Sequence, residues 1–520
     1  MNARLVRYPL ALAAALVLSA CAVGPDYERP VSPLPDRYAR GDAQRLPGTA
    51  AQDGADAAFW QGFGDPVLGQ LVGQAYAANH DLRIAIARYD SANALLSNAK
   101  LDRYPTVTAS GQIGHQLMSR DEAFGAPRDQ RSSPTSSLAA NASWELDLFG
   151  RVRRGVEAQR AETAASAADV RAVRVAIAGD VAQSYMQLRG AQRRLQLARD
   201  NARTQQETLS LVQARVDAGR GSDLDAVRAR AQYESTASRI AAYEAVIGVN
   251  QHRLAVLTGQ SPEALIARLD EPMALPALAP AIDPGTPGDL LRRRPDVAAA
   301  EARLHAATAR IGVATAGLFP RFSLMGLIGS STGSYDFFRD GSDRNLIALG
   351  IDWSFLDVGR VRARIAASDA DAAGLLAQYQ QTVLRAAEDT ENALLTLSRT
   401  QVEAGHLRRA ADDSTRASDL ARSRFQAGAI GFFEVLDIER SRLQAQDAAA
   451  EADTRQATAA VSLYRALAGG WLPDAGRQAV ASTNALAGAV PAGAQAVDVM
   501  STDASAVSSA AAGAASTYSR

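Results

Sequence analysis

Five histidines, one cysteine and a group of charged and aromatic residues near position 430 are the side chains that could carry chemistry. A metal centre needs His, Cys or carboxylate ligands at close spacing. His80, His115, His252, His305 and His406 are scattered through 520 residues, and Cys21 has no second cysteine. No metal, no cofactor and no internal disulfide is therefore expected. Gly329-Ser330-Ser331-Thr332-Gly333 fits the G-x-S-x-G pattern of a nucleophile elbow. An elbow needs a strand before the serine and a helix after it. Here a strand pattern runs on into a polar loop, so the serine is not read as a nucleophile. The phosphate-cradling G-x-x-x-x-G-K-[ST] sequence does not occur. The chain is read as something other than an enzyme.

The group near 430 lies in RFQAGAIGFFEVLDIER, residues 424–440. Gly428 and Gly431 break a helical pattern, and Phe432, Phe433, Glu434, Asp437 and Arg440 follow at once. Asp437 and Arg440 are three residues apart, which lets them pair on one helix face. The plainest reading is two phenylalanines packing a first helical turn and an exposed ion pair worth a few tenths of a kcal/mol.

The same stretch has an echo in RVDAGRGSDLDAVRAR, residues 215–230, where Gly219 stands for Gly428, 209 residues earlier. That shift also aligns Trp144, Gly150, Arg151, Val152 and Arg153 with Trp353, Gly359, Arg360, Val361 and Arg362. Further upstream the shift is 215, which pairs Asp81, Arg88 and Pro105 with Asp296, Arg303 and Pro320. Two diverged copies thus fill most of the chain. The divergence is informative: the first copy has Asp223 and Leu224 where the second has Phe432 and Phe433. Asp217, Arg220, Asp223 and Asp225 make the first turn the wetter one.

Each copy has the same order of elements. Residues 65–104 repeat Leu68, Leu71, Ala75, Ala78, Leu82, Ala85 and Tyr89 at helical spacing and stop at Pro105. Val107, Ala109, Gly111 and Ile113 then alternate with polar residues, as do Leu138, Ala140, Ala142, Trp144, Leu146 and Leu148. Period two marks a hairpin with one apolar face, about 106–149. The second copy repeats it at about 321–356, through Trp353 and Phe355. Long helices are expected over 151–218 and 360–427, and shorter ones over 222–257 and 432–467. Leu188, Leu195, Ala202, Leu209 and Val216 recur every seven residues, a seam suited to close helix approach. A helix of that length runs about 100 Å, the span of two short helices laid end to end. The hairpin and the glycine turn then sit at opposite ends.

Composition sets limits. Net charge is −1, with no feature calling for nucleic acid. After the first 20 residues no apolar run is long enough to cross a membrane as a helix. Four strands cannot close a barrel alone, and open sheet edges are not tolerated in lipid. Three chains would supply 12 strands, within the range of membrane barrels. The expected fold is mixed and mainly α: a trimeric 12-stranded β-barrel continued by an α-helical coiled-coil tube, with an internal two-fold repeat.

The N-terminus has Arg4 and Arg7, an apolar run from Leu10 to Val17, then Leu18-Ser19-Ala20-Cys21. This resembles a bacterial lipoprotein signal peptide over 1–20, with lipid on Cys21, and Ala22 then points to the outer membrane. An extended arm follows over 21–64, repeat 1 covers 65–282, and repeat 2 covers 283–470. The low-complexity tail, 471–520, reads as disordered.

With WELDLFGRVR (144–153), LLRRRPDVAAAEARL (290–304), FPRFSL (319–324) and the two glycine turns, the chain resembles the outer-membrane efflux proteins of the TolC/OprM family. The likeness is to the lipoprotein branch that serves resistance-nodulation-division pumps. It implies a homotrimer in outer-membrane lipid, a periplasmic adaptor and an inner-membrane pump. The implied activity is passive conduction of drugs or other small toxic molecules to the exterior. Ducts for metal ions or type I protein secretion, and a structural periplasmic coiled-coil lipoprotein, are the alternatives. The likeness also makes the turn at Gly428 the closable mouth, with Phe433, Asp437, Arg440 and Glu434 as gate positions. Three Asp437 carboxylates around a narrow axis would repel one another and recruit cations. The turn at Gly219, with Asp217, Arg220, Asp223 and Asp225, is the implied contact for the adaptor or a neighbouring tip.

Overall fold

The computed structural model describes residues 22–31, 34–39, 63–276 and 286–467. The signal segment, Cys21, part of the arm and the low-complexity tail lie outside them. The helices are α1 (Pro66–Ala78), α2 (His80–Leu101), α3 (Arg151–Asp217), α4 (Asp223–Leu257), α5 (Ile266–Leu269), α6 (Pro287–Arg293), α7 (Pro295–Thr315), α8 (Val358–Gln426) and α9 (Phe432–Leu467). The strands are β1 (Thr106–Leu117), β2 (Ser132–Leu146), β3 (Arg321–Thr332) and β4 (Asp343–Asp352).

The expected single helical segment over 65–104 is two helices. Asn79 adopts an extended backbone and its Oδ1 accepts from the Asp81 and Leu82 amides at 2.9 and 3.1 Å. This is an N-cap, which restarts the helix without any proline or glycine. Its Nδ2 donates to the Leu257 carbonyl at 2.9 Å, so the end of α4 abuts the start of α2. The short helices do lie end to end, and α3 packs along α1, α2 and α4.

The four strands form one antiparallel sheet in the order β1-β2-β3-β4. Register puts Val107, Ala142, Gly326 and Ile347 in one row, and Ala109, Ala140 and Ile328 in the next. The apolar sets of all four strands therefore share one face. Ile328 is 71% exposed and Ile347 86% exposed on that face. Strand β4 ends at Asp352, earlier than the sequence alternation suggested. Trp353 instead donates from Nε1 to the Leu318 carbonyl at 3.0 Å, just as Trp144 donates to Arg103 at 3.0 Å. The duplication thus extends to individual hydrogen bonds.

Two apolar cores run beside the sheet's helical continuation. One joins Leu68, Leu71, Val181, Tyr185, Leu188 and Leu254; the other joins Val297, Tyr379, Val383, Leu394 and Leu463. Burying each large side chain contributes roughly 1.5–3 kcal/mol. Helix α3 also contacts α7 and α9, so it ties the two repeats together. At Gly190 the approach is so close that a β-carbon would sit 2.1 Å from the Thr454 hydroxyl oxygen. Among the described residues no helix is long and apolar enough to cross a membrane.

The arm is fastened where the sheet meets the helices. The Val23 amide donates to the Phe149 carbonyl at 3.1 Å. Gly24 takes a left-handed φ of 93° and lies against Gly312 of α7. Buried Arg154 donates to Val23 and Asp26, and Tyr27 stacks on His305 with centroids 4.4 Å apart.

Candidate functional site

The two glycine turns are built alike. At the end of α8 the Gly428 amide donates to the Phe425 carbonyl and the Ala429 amide to the Arg424 carbonyl, both at 2.9 Å. At the end of α3, Gly219 donates to Val216 and Arg220 to Arg215, at 2.9 and 2.8 Å. Both are Schellman closures, which need a left-handed residue. Gly219 and Gly428 supply it with φ of 67° and 73°.

Around Gly428 the structure brings together part of the predicted set. Asp437 and Arg440 form an exposed pair at 2.6 Å, as their spacing suggests. Phe433 is 58% exposed, and its ring lies under the guanidinium of Arg228 from α4, 5.0 Å from centroid to carbon. Phe432 turns inward and meets Phe425 at 5.9 Å. Arg215 covers the Phe425 ring at 5.7 Å. The aromatics therefore join the two tips by cation–π contacts, worth about 0.5–1 kcal/mol each at exposed sites. Glu434 is exposed in the first turn of α9, where a negative charge suits the helix dipole.

Around Gly219, Ser222 caps α4 by accepting from the Leu224 amide at 3.2 Å. Asp223 and Asp225 follow in its first turn. Asp217 accepts from Gln213 at 3.1 Å. Asp217, Arg220 and Asp223 are exposed, and Asp225 is half-buried.

Sequence spacing missed the strongest links between the hairpins. Asp447 on α9 takes a paired bond from Arg194 on α3, at 2.8 and 2.9 Å. From α4 it takes a bond from Tyr243 at 2.7 Å and one from Arg239 at 3.3 Å. Burial opposes ionisation of Asp447, but the bonds from Arg194 and Tyr243 and the Arg239 charge outweigh it and hold its pKa below the ordinary value. Burial, aided by the Asp447 carboxylate, pushes the Tyr243 phenol up. Nearer the tip, Glu439 accepts from Ser418 at 2.6 Å and pairs with Arg422 and Arg442 at 2.8 and 2.9 Å. Asp447 and Arg194 are 253 residues apart, so no local pattern could have paired them. Among the described residues no three His, Cys, Asp or Glu side chains could hold a metal.

Three comparisons bear on this arrangement. A family model described as outer membrane efflux protein matches residues 71–260 and again 286–469. The outer membrane protein OprJ of Pseudomonas aeruginosa is 34% identical over 487 residues, spanning 90% of this chain and 97% of that protein. The pyoverdine export outer membrane protein OpmQ of Pseudomonas putida is 32% identical over 431 residues, spanning 82% of this chain and 90% of its own length. Among solved structures, the outer-membrane channel OprN superposes with a TM-score of 0.79 at 38% identity, over 87% of this chain and 100% of that one.

Proposed function

This chain belongs to the outer membrane efflux protein family, and from that membership we propose that three copies build the exit duct of a tripartite pump. It is an outer-membrane efflux channel protein. The observation that carries the trimer is the sheet. Among the described residues β1 and β4 each pair on one side only, and the apolar face is exposed. Lipid cannot satisfy such edges, whereas three four-stranded sheets joined edge to edge leave none.

The helices α3, α4, α8 and α9 continue the barrel as a periplasmic tube. The tip at Gly428, with Phe433, Glu434, Asp437 and Arg440, is the closable mouth. The tip at Gly219, with Asp217, Arg220, Asp223 and Asp225, meets the adaptor. Its first-turn carboxylates and exposed backbone suit a wet contact that forms and breaks. Lipid on Cys21 tethers the chain to the membrane, adding an anchor to the barrel. The protein performs no bond chemistry; energy comes from an inner-membrane pump of the resistance-nodulation-division type. Cargo is small toxic molecules. The likeness to OpmQ, a pyoverdine export outer membrane protein, supports an export duct.

The test is deletion of the gene with drug-susceptibility profiling, joined to co-purification of the adaptor. Sensitisation to several drugs, reversed by the intact gene, is expected. Unchanged susceptibility with no adaptor recovered would contradict the proposal.

A further inference from the structure

Arg189 on α3 is a buried cation, 1% exposed. Among the described residues its hydrogen-bond partners are all neutral. Nη1 donates to Gln192 Oε1 at 2.7 Å and to the Glu271 carbonyl at 2.8 Å. The guanidinium lies over the Tyr185 ring, 4.9 Å from its centroid. Gln192 donates from Nε2 to the Leu269 carbonyl at 2.7 Å, so the two side chains clamp the segment that leaves α5. Nη2 meets the thioether sulfur of Met273 at 3.2 Å, and Nε has no partner.

Nε and Nη2 form one edge of a guanidinium, the fork suited to a carboxylate. Arg194 uses that edge on Asp447, and Arg294 uses it on Asp296. At Arg189 the edge faces a sulfur atom, which accepts only weakly. A buried cation is thus left with its fork half filled, a costly arrangement. Water does not reach Nε, but Met273 already touches the other nitrogen of the same edge. Met273 is itself 40% exposed, so a small oxidant reaches it from the solvent side.

We propose that Met273 is a site of reversible oxidation whose sulfoxide oxygen is received by the Arg189 fork. The oxidant is a hydroperoxide. A sulfur lone pair attacks one peroxide oxygen, the S–O bond forms and the O–O bond breaks. The proton on the transferred oxygen passes to the departing one, which leaves as water when the oxidant is hydrogen peroxide. The thioether loses two electrons and the peroxide gains them. Rotation of the unbranched side chain then turns the new oxygen toward Nε and Nη2. A sulfoxide oxygen accepts far more strongly than a thioether, and the bond to a guanidinium is charge-assisted. Oxidation of a methionine ordinarily disrupts its surroundings. Here it tightens residues 269–275 against α3, because the oxygen meets a donor that the sulfur leaves unsatisfied.

The test treats the full-length protein in lipid nanodiscs with dilute hydrogen peroxide. Peptide mass spectrometry should find one added oxygen on Met273 while Met186, which is fully buried, stays reduced. Hydrogen exchange of the 269–275 amides should then slow roughly tenfold. The methionine sulfoxide reductase matched to the epimer, supplied with a thiol reductant, should reverse both changes. Met273→Leu should lose the response to peroxide. Met273→Gln, which offers an amide oxygen to the fork, should show the slowed exchange without peroxide. Thermal dissociation of the assembled protein checks that both variants are folded. Met273 left reduced under conditions that oxidise free methionine overturns the proposal. So does exchange that is faster or unchanged after oxidation, or a slowing that persists in Met273→Leu.

Discussion

Arg294 donates from Nη1 to the carbonyl oxygen of Ala466 at 3.0 Å, joining the start of α7 to the end of α9. The first repeat makes the same join with a different side chain, Asn79 to Leu257 at 2.9 Å. One contact between helix ends has been kept through the duplication while its chemistry changed. Arg294 does more than Asn79, because it also grips Asp296 with two bonds, at 3.0 and 2.7 Å, and reaches Asp389 at 3.2 Å. Arg294→Ala is expected to cost about 2–4 kcal/mol, since it removes a buried cation and leaves carbonyls and carboxylates short of donors. Asn79→Ala should cost about 1–2 kcal/mol through the lost cap and carbonyl bond. Thermal dissociation of the purified assembly should rank wild type above Asn79→Ala, and that above Arg294→Ala.

The arm gives a second prediction. A β-carbon on Gly24 would sit 2.4 Å from the Gly312 Cα, in a backbone region that L side chains avoid. Gly24→Ala should therefore undock residues 22–31 and speed their cleavage in limited proteolysis. Gly64 has a similar φ of 64° but open space around it. Gly64→Ala should show only the strain, roughly 1 kcal/mol, with no added cleavage of the arm.

Acid should loosen the link between the hairpins. The pKa of Asp447 is depressed in the folded chain. Its stabilising contribution is complete above the unfolded carboxylate value, about 3.9, and is lost as pH falls through the lower folded value. Hydrogen exchange of α4 and α9 near Tyr243 and Asp447 should be steady from neutral pH down to about 4, after correction for the intrinsic rate, and rise below that. Asp447→Asn should raise exchange there already at pH 7 and flatten the acid response.

Asp437 is expected to set the charge preference of the mouth. If Asp437 lines the mouth as proposed, Asp437→Ala should reduce cation selectivity in planar bilayers and increase conductance, because a carboxylate is removed from each copy and Arg440 loses its partner at 2.6 Å. Unchanged selectivity and conductance would remove Asp437 from the gate.

Much of the architecture was legible because its signals are local. Alternation through Val107–Ile113 and Ile347–Ile351 gave the strands, and the seven-residue recurrence of Leu188, Leu195 and Ala202 gave the long helix, with all three of those residues buried. The break at Asn79 was missed because a polar cap interrupts a helix without disturbing its apolar spacing. Trp353 prolonged the strand pattern, yet its indole bonds Leu318 outside the sheet. The surroundings of the Gly428 turn were half legible. Asp437 and Arg440 are neighbours on one helix, whereas Arg228 over Phe433 and Arg194 on Asp447 depend on how two hairpins pack. Those pairs depart from the repeat, so even the alignment of the chain with itself could not reveal them.

The two sheet edges left free among the described residues are expected to be closed by other copies of the same chain. Native mass spectrometry of the protein released from outer-membrane fractions decides this. One species of three chains, converted to single chains only on heating, is expected. A stable single-chain species from the membrane, or a protein recovered without detergent in the soluble fraction, would contradict it.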